Sequence, residues 1–167
     1  PVGQAVVLWL AALGARNIVV SDPVAHRREL AGILGATHTV DPTTEDVAAA
    51  VVTACGSPAR VVIECVGIPG LAQHATEVAA VDGTVVIAGV CMEADPLVPF
   101  IAMSKELDVR FAFYYRAQDY THTVAMLEQG RIDPLPMVTG EVDLDGTPGA
   151  FAALHRPTTE CKVLIRP

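Results

Sequence analysis

The 167-residue sequence predicts an α/β fold, a parallel sheet wound on both faces by helices. Three observations point there. Runs such as NIVVS (17–21), RVVIECV (60–66) and TVVIAGV (84–90) are apolar nearly end to end, as strands buried on both faces are. Each is followed, after a short turn, by a stretch with helical character. The chain is also 51% hydrophobic but only 5% aromatic, with Ala and Val supplying much of the apolar content, which suits helices layered on a sheet.

Taken in order, Gly3 to Leu13 reads as a helix apolar almost all round, stopped by Gly14. Asn17 to Ser21 is a strand ending at Asp22, and Val24 to Leu34 is an amphipathic helix closed by Gly35. Thr37 to Val40 is a short strand before the Asp41-Pro42 turn. Thr43 or Thr44 is placed to cap a helix from Glu45 to Cys55. Arg60 to Val66 is a strand, Gly67 to Gly70 a tight turn and Leu71 to Ala80 a helix. Asp82-Gly83 turns into the strand Thr84 to Val90. A short helix from Pro99 to Lys105, a strand from Leu107 to Tyr114 and a helix from Asp119 to Gln129 follow. Short connections between alternating strands and helices imply right-handed crossovers and a doubly wound parallel sheet. Pro134 and Pro136 break the pattern. A strand from Val138 to Val142, a helix near Gly149 to Leu154 and a strand from Lys162 to Ile165 read as a tail that leaves the sheet. The expected organisation is therefore residues 1–133 as one nucleotide-binding domain and 134–167 as a C-terminal tail.

Bulk properties narrow the function. A net charge of −8 argues against nucleic acid, whose binders cluster positive charge. No apolar run reaches the roughly 18 residues that span a bilayer. The four cysteines, at 55, 65, 91 and 161, form no Cys-x-x-Cys pair and read as reduced, mostly buried thiols. The expectation is a soluble, cytoplasmic protein. Residue 1 is Pro, so the chain is not expected to begin where translation begins.

The first chemical feature is Pro1-Val2-Gly3 at the start of a buried helix, followed about 20 residues on by Asp22 at a strand end, the spacing of a dinucleotide-binding βαβ unit. Glycine lets backbone N–H groups at a helix start approach a pyrophosphate. A carboxylate at the second strand's end accepts from ribose hydroxyls and repels a 2′-phosphate. The first two glycines of the Gly-x-Gly-x-x-Gly pattern are absent, and the alternatives are a plain helix start at Gly3 and a helix cap at Asp22; the order of strand, acid and helix favours the nucleotide-binding unit over them. Arg27 lies beside Asp22, either over the adenosine or on a solvated helix face. His26, His38, His74, His122 and His155 share no His-x-x-x-His face, and Ser21, Ser57 and Ser104 lie in no Gly-x-Ser-x-Gly elbow. The chain thus shows no catalytic residue and no metal ligands of its own.

The run PVGQAVVLWLAALGARNIVVSDPVAHRRELAGILGA resembles the medium-chain dehydrogenase family, in its zinc-dependent alcohol dehydrogenase branch. So do VVIECVGIPG, DGTVVIAGV, KELDVRFAFYY, LEQGRIDPLPMVTGEVDL and CKVLIRP, in the same order along essentially the whole chain. The resemblance implies a Rossmann-type domain whose first strand and first glycines precede residue 1. It implies that Val2 and Gly3 approach the pyrophosphate of NAD, that Asp22 holds the adenosine ribose with Arg27 beside it, and that Cys65 and Val66 line the adenine and ribose side. Backbone at Ala88 and Ala112, with Tyr114, would hold the nicotinamide carboxamide, and Val90 would pack on its ring. Lys162 would reach the pyrophosphate. Phe111 departs from the glycine usual in the family and would crowd the nicotinamide end.

The family's catalytic and structural zinc sites lie before this region, so zinc is expected in an N-terminal part of the parent enzyme, toward which the tail would pack. The implied function is hydride transfer between NAD(H) and a small alcohol or carbonyl substrate, in a homodimer or tetramer. The start Pro-Val-Gly favours the zinc branch over the zinc-free quinone reductases, the alternative within the family. A non-catalytic dinucleotide-binding or assembly module is the alternative from another class.

Overall fold

The computed structural model describes residues 1–154 and 159–167. The chain divides into two compact units, residues 1–43 with 123–167, and residues 44–122.

The first unit opens with helix α1 (Val2–Ala12), strand β1 (Val19–Ser21), helix α2 (Ala25–Ile33) and strand β2 (His38–Val40). β1 and β2 pair in parallel, Val19 with His38 and Ser21 with Val40. Both helices end in the one-residue way the glycines foretold. Gly14 and Gly35 follow them at φ of 79° and 114°, where an L side chain is strained. At Gly35 space is short as well, since a β-carbon there would stand 2.5 Å from Ala11 Cβ. The core is a cluster of Val7, Ile18, Leu30 and Leu34, against which Met137 and Cys161 from the C-terminal segment also pack. That segment contains strand β6 (Val138–Asp143), helix α7 (Thr147–Ala153) and strand β7 (Lys162–Arg166). β6 and β7 pair with each other in parallel. Thr139 ties them, its hydroxyl accepting from the Cys161 N–H at 2.8 Å and donating to Glu160 at 2.6 Å.

The second unit holds helix α3 (Val47–Cys55), strand β3 (Ala59–Glu64), helix α4 (Leu71–Val78), strand β4 (Ala79–Ile87), helix α5 (Pro99–Ser104) and strand β5 (Asp108–Phe111). The three strands form a parallel sheet in the order β3-β4-β5. Ala75, Ala79 and Val85 make the core, with Val62, Ile87, Leu107 and Val109 around it. Val85 is fully buried, which by apolar area contributes about 1.5–3 kcal/mol. Helix α6 (Ala117–Glu128) follows β5.

Several boundaries differ from the sequence reading. Asp46, not Thr43 or Thr44, caps α3, its carboxylate accepting from the Ala49 N–H at 2.8 Å. The Thr43 hydroxyl is instead turned onto Asp41. Asp82-Gly83 is a bulge inside β4 rather than a turn before it. The register against β3 slips between Ala59 and Val61, and Asp82 takes φ of 55°. β4 and β5 stop at Ile87 and Phe111, short of Val90 and Tyr114. All four cysteines are free but only half-buried.

The end of α4 has an unusual cap. The chain passes from Val78 straight into β4 at Ala79, so carbonyls at the last turn of α4 have no following turn to satisfy them. Lys105 does so from the far end of α5, its Nζ donating to the carbonyls of Thr76 at 2.9 Å, Glu77 at 2.6 Å and Ala79 at 2.8 Å.

Candidate functional site

In the first unit the expected nucleotide-binding residues gather at the start of α1 and the end of β1. α1 has no side-chain cap and no acid in its first turn. Its first intrahelical bond runs from the Ala5 N–H to the Pro1 carbonyl at 3.0 Å. The N–H groups of Val2, Gly3 and Gln4 therefore project from an open, positive helix end, which is suited to an anion. Val2 is exposed and Gly3 half-buried.

Asp22 follows β1, its N–H donating to the Val40 carbonyl at 3.3 Å. Its Oδ1 accepts from the Val24 N–H at 2.8 Å and so builds the entry to α2. Its Oδ2 lies 3.7 Å from Arg27 Nη1, a loose pair whose side chains are 20% and 48% exposed. One carboxylate oxygen is thus spent on the turn and the other is available to a hydroxyl. Arg28 points the other way, donating to the Asp22 carbonyl at 2.6 Å and pairing with Asp41 at 3.0 Å. The Asp41 carboxyl is held below its ordinary value of 3.8 by the Thr43 hydroxyl and N–H first, and by Arg28 after them. Lys162 opens β7 as an exposed residue, and Cys161 before it is anchored in the core. A shallow open groove beside α2 and β2 is lined by Arg28, Glu29, Thr37 and His38, and none of the expected cofactor residues lines it.

In the second unit the expected residues sit at the C-terminal ends of the parallel strands, where ligands bind such sheets. The ends of β3 and β4 are locked together by Glu64, which is 8% exposed. Its Oε1 accepts from the N–H groups of Val66 at 2.6 Å and Gly67 at 2.9 Å. Its carbonyl accepts from Ala88 at 2.8 Å and Gly89 at 3.0 Å. Neither glycine leaves room for a side chain. A β-carbon on Gly67 would lie 2.4 Å from the Val90 nitrogen. Cys65 lies in this turn, and burial first, then the neighbouring Glu64 charge, pushes its thiol up to about 11. Such a thiol is unreactive at neutral pH. Val66 and Val90 are 61% and 58% exposed.

The N–H of Ala112 donates to the Ile87 carbonyl at 2.9 Å and that of Ala88 to Glu64. The N–H groups of both positions are thus engaged within the protein. Tyr114 is 80% exposed and stacks on Tyr115, with ring centroids 5.0 Å apart and 12° between planes. Phe111 is 81% exposed.

No three His, Cys, Asp or Glu side chains among the described residues converge on a metal position. His26 and His74 approach glutamates of their own helices at 4.0 and 3.8 Å, and His155 lies outside the described residues. Gln4 and Glu64 escaped the sequence reading. Each is a polar side chain inside an apolar run, and that anomaly was the available signal.

The first unit thus offers an open helix N-terminus and, at Asp22, a carboxylate oxygen not used by the entry to α2. The second brings backbone close together at the ends of β3 and β4. Residues 1–129 match the family model described as zinc-binding dehydrogenase. The chain is 31% identical to 2-dehydro-3-deoxy-L-galactonate 5-dehydrogenase of Pseudoalteromonas atlantica, over 99% of this chain and 48% of that protein. It is 30% identical to sorbitol dehydrogenase of Mus musculus, over 99% and 47%. A crystal structure of a zinc-binding dehydrogenase from Sinorhizobium meliloti, bound to NADP, superposes with a TM-score of 0.88 at 31% identity, covering 99% of this chain and 49% of that one. The chain spans about half the length of the curated relatives it matches.

Proposed function

Because this chain belongs to the zinc-binding dehydrogenase family, we propose that it is the nucleotide-binding portion of an NAD-dependent alcohol or polyol dehydrogenase. The observation that carries this reading is Asp22, with one oxygen holding the entry to α2 and the other left for a ribose hydroxyl. NAD⁺ bound there would accept the hydride from an alcohol carbon. The chain's own part is to orient. The first N–H groups of α1 would neutralise the pyrophosphate, aided by Lys162. Asp22 and Arg27 would grip the adenosine ribose, while Cys65 and Val66 would line its cleft. The carbonyls of Ala88 and Ala112, with Tyr114, would fix the carboxamide, and Val90 would support the ring. A catalytic zinc would be held by residues outside this chain, acting as Lewis acid on the alcohol oxygen.

Residues 1–133 form the cofactor domain in this proposal, and 134–167 a tail packing toward a catalytic domain. We place the protein in the cytoplasm, where four free thiols persist. We expect a homodimer or tetramer joined through the β4–β5 region, since β5 is an outer strand of its sheet and Phe111 at its end, with Phe113 and Tyr114 beyond it, is exposed. No helix of the described residues is long and apolar enough to cross a membrane.

The test is to express the protein from its whole coding sequence and titrate it with NADH and NADPH. Zinc would be measured by elemental analysis, and NAD⁺ reduction followed with sorbitol and butanediol. Tighter NADH than NADPH binding, stoichiometric zinc and polyol-dependent NADH formation support the reading. A zinc-free protein that reduces quinones would overturn it. The NADP-bound relative favours, as a second reading, an enzyme that takes NADP, which the same titration separates.

A further inference from the structure

α1 (VGQAVVLWLAA) carries one amide side chain, Gln4, and buries it to 8% exposure. Its Nε2 donates to the Arg27 carbonyl at 2.7 Å. Its Oε1 is buried without a hydrogen-bond partner among the described residues. Packing alone does not explain such a residue. Methionine or leucine would fill similar space without stranding an acceptor in the interior. The amide's one bond joins the first turn of α1 to the first turn of α2, where Arg27 reaches within 3.7 Å of Asp22. The start of α2 is in turn built on Asp22 through the Val24 N–H.

We propose that Gln4 is a positioning residue for nucleotide recognition: by holding the Arg27 backbone it sets how far the Arg27 guanidinium can leave Asp22, and so the choice between a free adenosine 2′-hydroxyl and a 2′-phosphate. The inference rests on the dinucleotide reading above. A guanidinium kept against Asp22 leaves the carboxylate facing the ribose, and a 2′-phosphate meets its negative charge. A guanidinium released from that position can pair with the phosphate instead, because arginine matches phosphate with two parallel N–H donors. Loosening the anchor therefore weakens the preference for NAD over NADP. The Arg27 carbonyl keeps its helical acceptor role toward the residue four positions on, so the effect falls on position rather than on helix integrity.

The experiment is a double-mutant cycle in the full-length protein, using wild type, Gln4→Met, Arg27→Ala and the double variant. NADH and NADPH dissociation constants are read by fluorescence titration and thermal midpoints by calorimetry. Gln4→Met should lower the ratio of NADPH to NADH dissociation constants by roughly threefold to tenfold, with a midpoint close to wild type. Arg27→Ala should erase that shift. If Gln4→Met misfolds, Gln4→Leu must reproduce the change. An unaltered ratio, or an equal shift with and without Arg27, overturns the inference while leaving the dinucleotide reading intact. A wild-type protein that binds neither nucleotide overturns both.

Discussion

Gly89 stands against Gly67 so closely that a β-carbon on Gly89 would lie 2.2 Å from the Gly67 nitrogen and 2.4 Å from Glu64 Oε2. The ends of β3 and β4 are therefore in backbone contact, and a methyl group can be admitted only by parting the strands. Gly89→Ala should destabilise the protein by about 2–3 kcal/mol, in the range of overpacked interiors, and weaken NADH binding more than tenfold, about 1.4 kcal/mol or more. Urea denaturation and nucleotide titration of the variant check both effects.

Lys105 spends all three of its protons on carbonyls at the end of α4. Replacing it with methionine keeps the stem but strands those acceptors. The expected loss is about 2 kcal/mol, the scale of hydrogen bonds to a charged group. Arginine should restore little, because a planar fork cannot reproduce three divergent donors. Denaturation midpoints of Lys105→Met and Lys105→Arg settle the point.

Asp22→Asn keeps an oxygen to accept from the Val24 N–H, so the entry to α2 should survive. It loses the charge that grips a ribose hydroxyl and repels a 2′-phosphate. NADH affinity should fall about tenfold while NADPH affinity stays level or rises. Circular dichroism indistinguishable from wild type, with the two affinities converging, is the expected result.

The lowered Asp41 carboxyl links stability to acid. Its folded value lies below the ordinary 3.8 because Thr43, then Arg28, favour the ionised form. The stabilising contribution is therefore complete above 3.8 and is lost as pH falls through the lower folded value. Asp41→Asn should flatten that part of the acid-unfolding curve and leave the neutral region nearly level.

Cys65, pushed up to about 11 by burial and by Glu64, should be alkylated by iodoacetamide at pH 8 far more slowly than an unhindered thiol. Peptide mapping after timed labelling reads this directly. Glu64→Gln should bring the rate up only modestly, since burial is the larger cause.

The parts legible in the sequence were those written in local pattern. The βα alternation, the helix stops at Gly14 and Gly35, and Asp22 at the end of β1 all appear where spacing placed them. What local pattern could not carry is pairing. TVVIAGV and LDVRFAFYY stay apolar past Ile87 and Phe111, yet their strands stop there, because strand length depends on the partner and hydrophobicity does not record it. The sequence offered Thr43 or Thr44 as the cap of α3, but Asp46 takes that place while the Thr43 hydroxyl turns to Asp41. Gln4 and Glu64 do their work through partners at Arg27 and at the strand ends. A polar letter in an apolar word signals that something is bonded, not to what.

The corner between α4 and β4 is closed by a side chain that arrives late. Lys105 follows the three carbonyls it binds by 26 to 29 residues. On the ribosome, α4 and the first residues of β4 emerge well before Lys105 does, and until then water must satisfy those carbonyls. Synthesis therefore imposes an order on this unit: the corner can be sketched early, but it sets only once α5 has left the exit tunnel.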